Sequence, residues 1–363
     1  MPKILRIKFA YMVCIIGIYF NVFDGTKITA SANDFNSELG AGGLVLVQSN
    51  SISMEREDLF LSEKEVRVRY EFRNVTSSPV TTRVAFPMPE MPHMDGGGPT
   101  TSAGEYNIAF PFPVTDPNFL NFKVWVNKQQ IKPEMEIRAL LPDGRDISSE
   151  LMNIGGMALM MRPGFFGNEE FNAEYGPIDI NTRLRLKQLN AYVEVPEYEG
   201  YNLPWTVHIT YHWEQQFLPG ITVIEHHYKP LVGGGLVGFD TQGELIISGM
   251  ENYKKDFCVD ASLSRRLREY GQKNYRRLED TQTYGGGGIL RYILQTARSW
   301  HGPIGTFHLT IQGETKTDSL RATLISLCTD LPLRRTAPQR FETIVQNYIP
   351  NADLRILFIK LPN

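Results

Sequence analysis

The chain has 363 residues, 37 Lys and Arg against 40 Asp and Glu, a formal net charge of −3 and 42% hydrophobic residues. That balance excludes a disordered polyelectrolyte and offers no positive excess for binding nucleic acid. The length is enough for sizeable cores and suggests about two domains.

Residues 1–32 read as a signal peptide. Lys3, Arg6 and Lys8 form a basic start, residues 9–23 are nearly all apolar, and Ala30-Ser31-Ala32 offers a small-x-small cleavage pattern. The apolar run of about 15 residues is shorter than the ~20 that a spanning helix needs. An uncleaved anchor is the alternative, and it would be the one membrane contact, because no other long apolar run follows. Cys14 lies inside the run with Val13 before it, which does not suit a lipoprotein acylation site. Cleavage would remove four basic residues and one acidic residue, leaving residues 33–363 at a net charge of −6. The expected location is outside the cytoplasm, periplasmic or secreted. Cys258 and Cys328 then remain, and in an oxidising compartment they are expected to pair. A catalytic thiol is the rival reading, but no histidine is marked as its partner.

Short strands are expected near 43–48 and 58–62. Val66, Val68, Tyr70 and Phe72 then alternate with Arg67, Arg69, Glu71 and Arg73, the period of two of a half-buried strand. After turn residues 74–79, Val80, Thr82, Val84 and Phe86 resume the inward face, which predicts a hairpin with Phe72 opposite Val80. Asn74-Val75-Thr76 matches a glycosylation sequon but reads as part of that turn. Pro87, Pro89 and Pro92 end the pairing. Residues 93–106 are a Gly/Ser/Thr-rich loop, and a further hairpin turns at Asn127-Lys128. Asp146 caps a short helix with Glu150 in its first turn.

In the second long strand, Trp205, Val207, Ile209, Tyr211 and Trp213 alternate with His208, Thr210, His212 and Glu214. The turn Leu218-Pro219-Gly220 makes 221–230 its expected hairpin partner. The glycine run 233–235 marks a loop and a domain boundary. A helix follows over 260–274, capped at Asp260 or Ser262, with Leu263, Leu267 and Tyr270 on one stripe. Glycines 285–288 read as another break, with strands near 289–296, 306–312, 322–328, 340–347 and 354–359. Trp300-His301-Gly302-Pro303-Ile304 reads as a core anchor at a tight turn. The fold class is therefore mainly β: two β-sandwich-like domains with one or two short helices, an N-terminal sandwich over 33–232 and a β-rich unit with one helix over 233–363.

Four constellations bear on chemistry. On the expected 205–228 hairpin, pairing Phe217 with Ile221 sets His212 opposite His226, two ligands suited to zinc or copper. A slip of one residue sets His212 against Glu225 instead, and polarity does not choose. His208 shares the face of His212. The plainer reading is a solvated sheet face. The glycine runs 96–98, 233–235 and 285–288 lack the spacing and the Lys-Ser/Thr of a phosphate loop. The basic helix with Arg265, Arg266, Arg268, Lys273, Arg276 and Arg277 could meet an anionic polymer or lipid headgroups, or simply be solvated. No G-x-S-x-G, H-E-x-x-H or calcium-loop motif is present. In residues 162–177, Phe165, Phe166, Phe171 and Tyr175 could stack on a flat ligand or fold onto their own domain.

The stretch from Asn33 to Glu90, containing "EVRVRYEFRNVTSSPVTTRVAFPMPE", resembles the opening of a family of exported bacterial proteins, domain of unknown function family 4424. "YHWEQQFLPG", "EHHYKP", "YILQTARSWHGPIGTFHLTI" and "LISLC" are similar to that family in the same order. The resemblance implies a bacterial envelope or secreted protein, and no catalytic residues. "YEFRN", "VAFPMPE" and "KVWVNKQQI" are also similar to the β-sandwich that precedes the von Willebrand A domain in inter-alpha-trypsin inhibitor heavy chains, which implies a sandwich alone. The Asp-x-Ser-x-Ser motif of the A domain itself does not occur. The expected function is an exported, non-catalytic envelope module that binds an envelope protein or a surface polymer, with no cofactor. A metal-dependent hydrolase on the His-rich hairpin and a carbohydrate-binding module using the aromatic loop are the alternatives.

Overall fold

The computed structural model describes residues 35–40, 43–46, 48–88, 90–92, 116, 118–162, 177–196, 200–247, 252–280, 285–316 and 320–363. The signal peptide, the 93–106 loop and the aromatic positions Phe165, Phe166, Phe171 and Tyr175 lie outside them.

The chain opens with β1 (Phe35–Gly40), β2 (Gly43–Leu46), β3 (Ile52–Ser62), β4 (Val66–Asn74), β5 (Val80–Pro87) and β6 (Met91–Pro92). Then come β7 (Lys123–Val126), β8 (Gln129–Ile131), β9 (Glu134–Leu140), α1 (Ser148–Met160), α2 (Ile180–Gln188), β10 (Val193–Val195), β11 (Gly200–Asn202), β12 (Thr206–Phe217) and β13 (Gly220–Tyr228). β14 (Val232–Phe239), β15 (Leu245–Ile247), α3 (Tyr253–Asp256), α4 (Ala261–Asp280) and β16 (Gly285–Tyr292) follow. The last strands are β17 (Ile304–Gln312), β18 (Leu320–Leu327), β19 (Arg334–Ala337), β20 (Arg340–Tyr348) and β21 (Leu354–Pro362).

The fold is mainly β and is layered around one eight-stranded central sheet, ordered β19-β20-β17-β3-β4-β13-β7-β8. A first sheet, β2-β1-β5-β12 with β6 and β9 on the far side of β12, packs against it. The aromatic contacts across that layer are close: Phe122 stacks on Tyr211 at 4.2 Å and on Phe86 at 5.1 Å. A third sheet, β15-β14-β16-β21-β18, also meets the central one, where the hydroxyls of Tyr70 and Tyr292 lie 3.1 Å apart. Ile356 and Phe358 of β21 join the large core, while Leu357 and Ile359 point to the other side and pack with Leu267 and Tyr270 of α4. β21 is thus covered on both faces, which explains its nearly unbroken apolar sequence. Strands from either side of the 232/233 position share the central sheet, since β17 runs parallel to β3.

Neither long predicted hairpin forms. β4 pairs with β3 and β13 in the central sheet, whereas β5 pairs with β1 and β12 in the first. Likewise β12 belongs to the first sheet and β13 to the central one. Each turn is an arch that carries the chain from one sheet to the facing one. The inward residues are as expected, β4 alternating buried and accessible from Val66, but they meet across the sandwich rather than along a shared sheet. The Asn127-Lys128 turn does close a true hairpin, with Val126 opposite Gln129 and both turn residues at positive φ, 49° and 69°.

Asn74 ties the two arches together. It is 4% exposed, and its amide nitrogen donates to the carbonyls of Ser78 (2.8 Å) and of Phe217 on the other arch (2.9 Å). Its Oδ1 accepts from the backbone N–H and the hydroxyl of Thr76. The sequon is therefore a turn, and its nitrogen is occupied. Asn74→Ala is expected to lower stability by ~2–3 kcal/mol through stranded buried partners, seen as a drop in urea midpoint. Asn74→Asp, which sets a carboxylate oxygen against those two carbonyls in a buried site, should cost at least as much. A midpoint equal to the parent's for Asn74→Ala would remove this role. Trp300, 1% exposed, packs on Phe72 (4.6 Å) and Phe217 (6.1 Å), so the Trp-His-Gly-Pro turn, with Gly302 at φ 75°, anchors the arch ends.

The glycine runs 233–235 and 285–288 are strand, not loop. They face each other in β14 and β16, with Gly234 opposite Gly288 and Gly235 opposite Gly287. A Cβ on Gly288 would sit 2.4 Å from Glu63 Oε1, so the missing side chain admits the carboxylate that pairs with Lys360 at 3.2 Å. Cys258, between α3 and α4, is disulfide-bonded to Cys328, just past β18.

Candidate functional site

On the outer face of the central sheet, the outward residues of five strands line up in register. His308 of β17 sits beside Asp58 of β3, Asp58 opposite Arg69 of β4, Arg69 opposite Glu225 of β13, and Glu225 opposite Trp125 of β7. The adjacent row runs Thr310, Phe60, Arg67, His227 and Lys123. Cross-strand neighbours on one face are the units that stabilise a sheet, and unlike charges set side by side are the favourable pairs.

The polar groups are fixed by one another. Arg56 grips Asp58 with a two-pronged contact, Nε to Oδ2 at 2.7 Å and Nη2 to Oδ1 at 2.6 Å, and His308 Nδ1 lies 3.3 Å from Asp58. Arg69 donates to Glu71 at 2.7 Å and stands 3.8 Å from Asp58 and 3.9 Å from Glu225. Arg67 lies over the ring of Phe60 at 4.3 Å and 3.3 Å from Glu65, which also meets His227 at 2.9 Å. Partial burial works against the Asp58 charge, but Arg56 and His308 outweigh it and hold the carboxyl below the usual carboxylate range. Between these rows lies a groove of about 540 Å³, bordered by Phe60, Arg67, Arg69, Trp125, Glu225 and His308. That volume is in the range of small-molecule sites. Trp205, Trp213 and Trp300 are buried, whereas Trp125 remains partly accessible.

The four metal candidates fall in three separate places. His208 and His212 lie on the outer face of the first sheet, 3.8 Å from Glu90 and 3.9 Å from Glu134. Burial pushes the pKa of His208 down, against the pull of Glu90. His226 points inward, 1% exposed, with ring centroids of Phe86, Phe122, Trp213 and Tyr70 at 4.8, 5.1, 5.6 and 5.7 Å. Glu225 belongs to the groove. The expected pairing of His212 with His226 or Glu225 fails because the arch places β12 and β13 in facing sheets. Among the described residues no three His, Cys, Asp or Glu side chains are grouped to hold a metal ion. On α4, Arg268 pairs with Glu244 and Arg265 with Glu269, while Asp260 accepts from the N–H of Leu263 as its cap.

Sequence reasoning did not single out Asp58, Arg69, Trp125 or His308. The alternation of Arg67, Arg69 and Glu71 marked an outward face, and unlike charges at successive outward positions were the available signal. His308 carries no such signal, because only the parallel pairing of β17 with β3 brings it to Asp58. No described helix is long and apolar enough to cross a membrane.

The family model described as Domain of unknown function (DUF4424) matches residues 32–357. Among solved structures, the chain is similar to a Legionella pneumophila (strain Philadelphia 1) protein whose crystal structure carries the provisional description of a nutrient binding protein. The two share 15% identity with a TM-score of 0.41, over 91% of this chain and 70% of that one. No curated protein matches the chain.

Proposed function

We propose, from the premise that the chain belongs to the DUF4424 family of domains of unknown function, that it is an exported, non-catalytic binding module of the bacterial envelope. Its partner is an envelope protein or a surface polymer. The observation that carries this reading is the groove on the outer face of the central sheet, an open site in which charged side chains are pre-set by ion pairs and Trp125 stays partly accessible. Pre-set groups lose little freedom on binding, which favours recognition. Export is supported by the N-terminal leader pattern and agrees with the disulfide, which persists in oxidising compartments.

The test is photo-crosslinking in the living host, with the reactive residue at Lys128 on the groove or, as control, at exposed Ile246 of β15. The expected result is one recurrent envelope component on the Lys128 probe and none on the control. Equal labelling at both positions, or a protein recovered alone, would overturn the reading.

A further inference from the structure

The groove contains groups of both charges in near balance. Its lining carries Arg67, Arg69 and Lys128 against Asp58 and Glu225, and both arginines are engaged by carboxylates, Arg67 by Glu65 beside the groove and Arg69 by Asp58 and Glu225. A site for a polyanion needs a large excess of unpaired positive charge, and here both arginines already face carboxylates. A protein partner covers about 800 Å² per side, usually around a central apolar anchor, whereas here Trp125 and Phe60 are set among charged side chains. What the groove supplies is an accessible indole beside alternating hydrogen-bond donors and acceptors.

A neutral sugar has the complementary chemistry. One face of a pyranose ring presents C–H groups, which suit the electron-rich face of an indole. Its rim presents hydroxyls, each of which both donates and accepts, so each can meet a carboxylate and a guanidinium together. Trp125 is paired in register with Glu225, and Glu225 with Arg69, so an indole, an acceptor and a donor follow one another across three strands. His308 and Thr310 extend the lining across β17, giving a groove of about 540 Å³ rather than a pit beside a single side chain.

We propose that this groove binds a neutral saccharide chain, with one sugar ring seated on Trp125 and neighbouring hydroxyls held by Glu225 and Arg69. The inference rests on the reading of the groove as the binding face and adds the chemical class of its ligand.

The experiment uses the full exported protein and follows tryptophan fluorescence and titration heat with neutral gluco-, manno- and chito-oligosaccharides. Polygalacturonate and heparin serve as anionic probes. The expected result is saturable binding of at least one neutral series, insensitive to salt, with a change in tryptophan emission. Trp125→Ala should weaken it about tenfold, as expected for loss of an aromatic contact. Trp125→Phe should retain most of the affinity, and Glu225→Gln should weaken binding while moving the urea midpoint only slightly, as for loss of one exposed ion pair. Binding of the anionic probes alone, or neutral binding unaffected by Trp125→Ala, would overturn the inference. If the Lys128 probe captures a protein and no saccharide binds, the inference fails while the groove remains the binding face. If neither occurs, both fail.

Discussion

Replacing Cys258 and Cys328 together by serine is expected to lower the stability of the folded chain by ~4 kcal/mol, the chain-entropy value for a loop of this length. The two cysteines are separated by 70 residues in sequence. The bond joins the connector between α3 and α4 to the end of β18. The layer it fastens has its own, smaller apolar cluster, in which Phe257, Leu267 and Tyr270 face Ile289, Leu357 and Ile359. Near the bond Ser326 Oγ donates to the carbonyl of Phe257 at 2.8 Å, Tyr270 donates to the carbonyl of Pro362, and Lys254 and Arg268 both pair with Glu244. Without the bond, the unfolded chain regains the freedom of a long loop, and the helical layer depends on that cluster and these polar contacts. Urea unfolding of the parent and the double variant measures the difference. Hydrogen exchange along α4 should show this helix opening first in the variant. Unchanged midpoints would mean that the noncovalent contacts hold the layer unaided.

Acid should find the second weak point at His226. The ring lies wholly within the aromatic layer between the first and central sheets, and burial pushes its pKa from 6.5 down to about 3. In the unfolded chain the same ring titrates near its ordinary value. Between those two pH values the unfolded state carries a proton that the folded state does not. Stability therefore rises with pH across this window and is lost on acidification below about 6.5, at about 1.4 kcal/mol per pH unit. His226→Phe places an apolar ring among the same neighbours and removes this dependence. The two proteins should differ little in slope above pH 7, and the variant should gain on the parent progressively as the pH falls from 6.5 to 4. The comparison is a set of urea midpoints at pH 7.5, 6, 5 and 4. Parallel curves for parent and variant would show that His226 is protonated in the folded state. Asp58, held below its usual range, loses its contribution only when the pH falls to the carboxylate range, and it does so equally in both proteins.

These expectations depend on an arrangement that is only partly written along the chain. The alternation of Val66, Val68, Tyr70 and Phe72 with charged residues, and of Trp205 to Trp213 with polar ones, determined which side chains enter the core. The turn pair Asn127-Lys128 determined a true hairpin, Asp260 the cap of α4, and the two cysteines that follow the leader pattern their disulfide. The direction of the turns at 74–79 and 218–219 was decided by the tertiary structure. A flat hairpin and an arch bury the same alternate residues, so a period of two cannot tell them apart. The choice rests on distant partners: Asn74 reaching the carbonyl of Phe217, and Trp300 packing on Phe72 and Phe217. The glycine runs show the same limit, because what makes them strand is the approach of Glu63 and the pairing of one run with the other. The groove was decided in this way too. Its charges are legible strand by strand, but the row from His308 to Trp125 exists only because β17 lies parallel to β3 and an arch lays β13 beside β4. Periodicity is a local property and reports which face is buried; register between strands hundreds of residues apart is set by packing across the sheets.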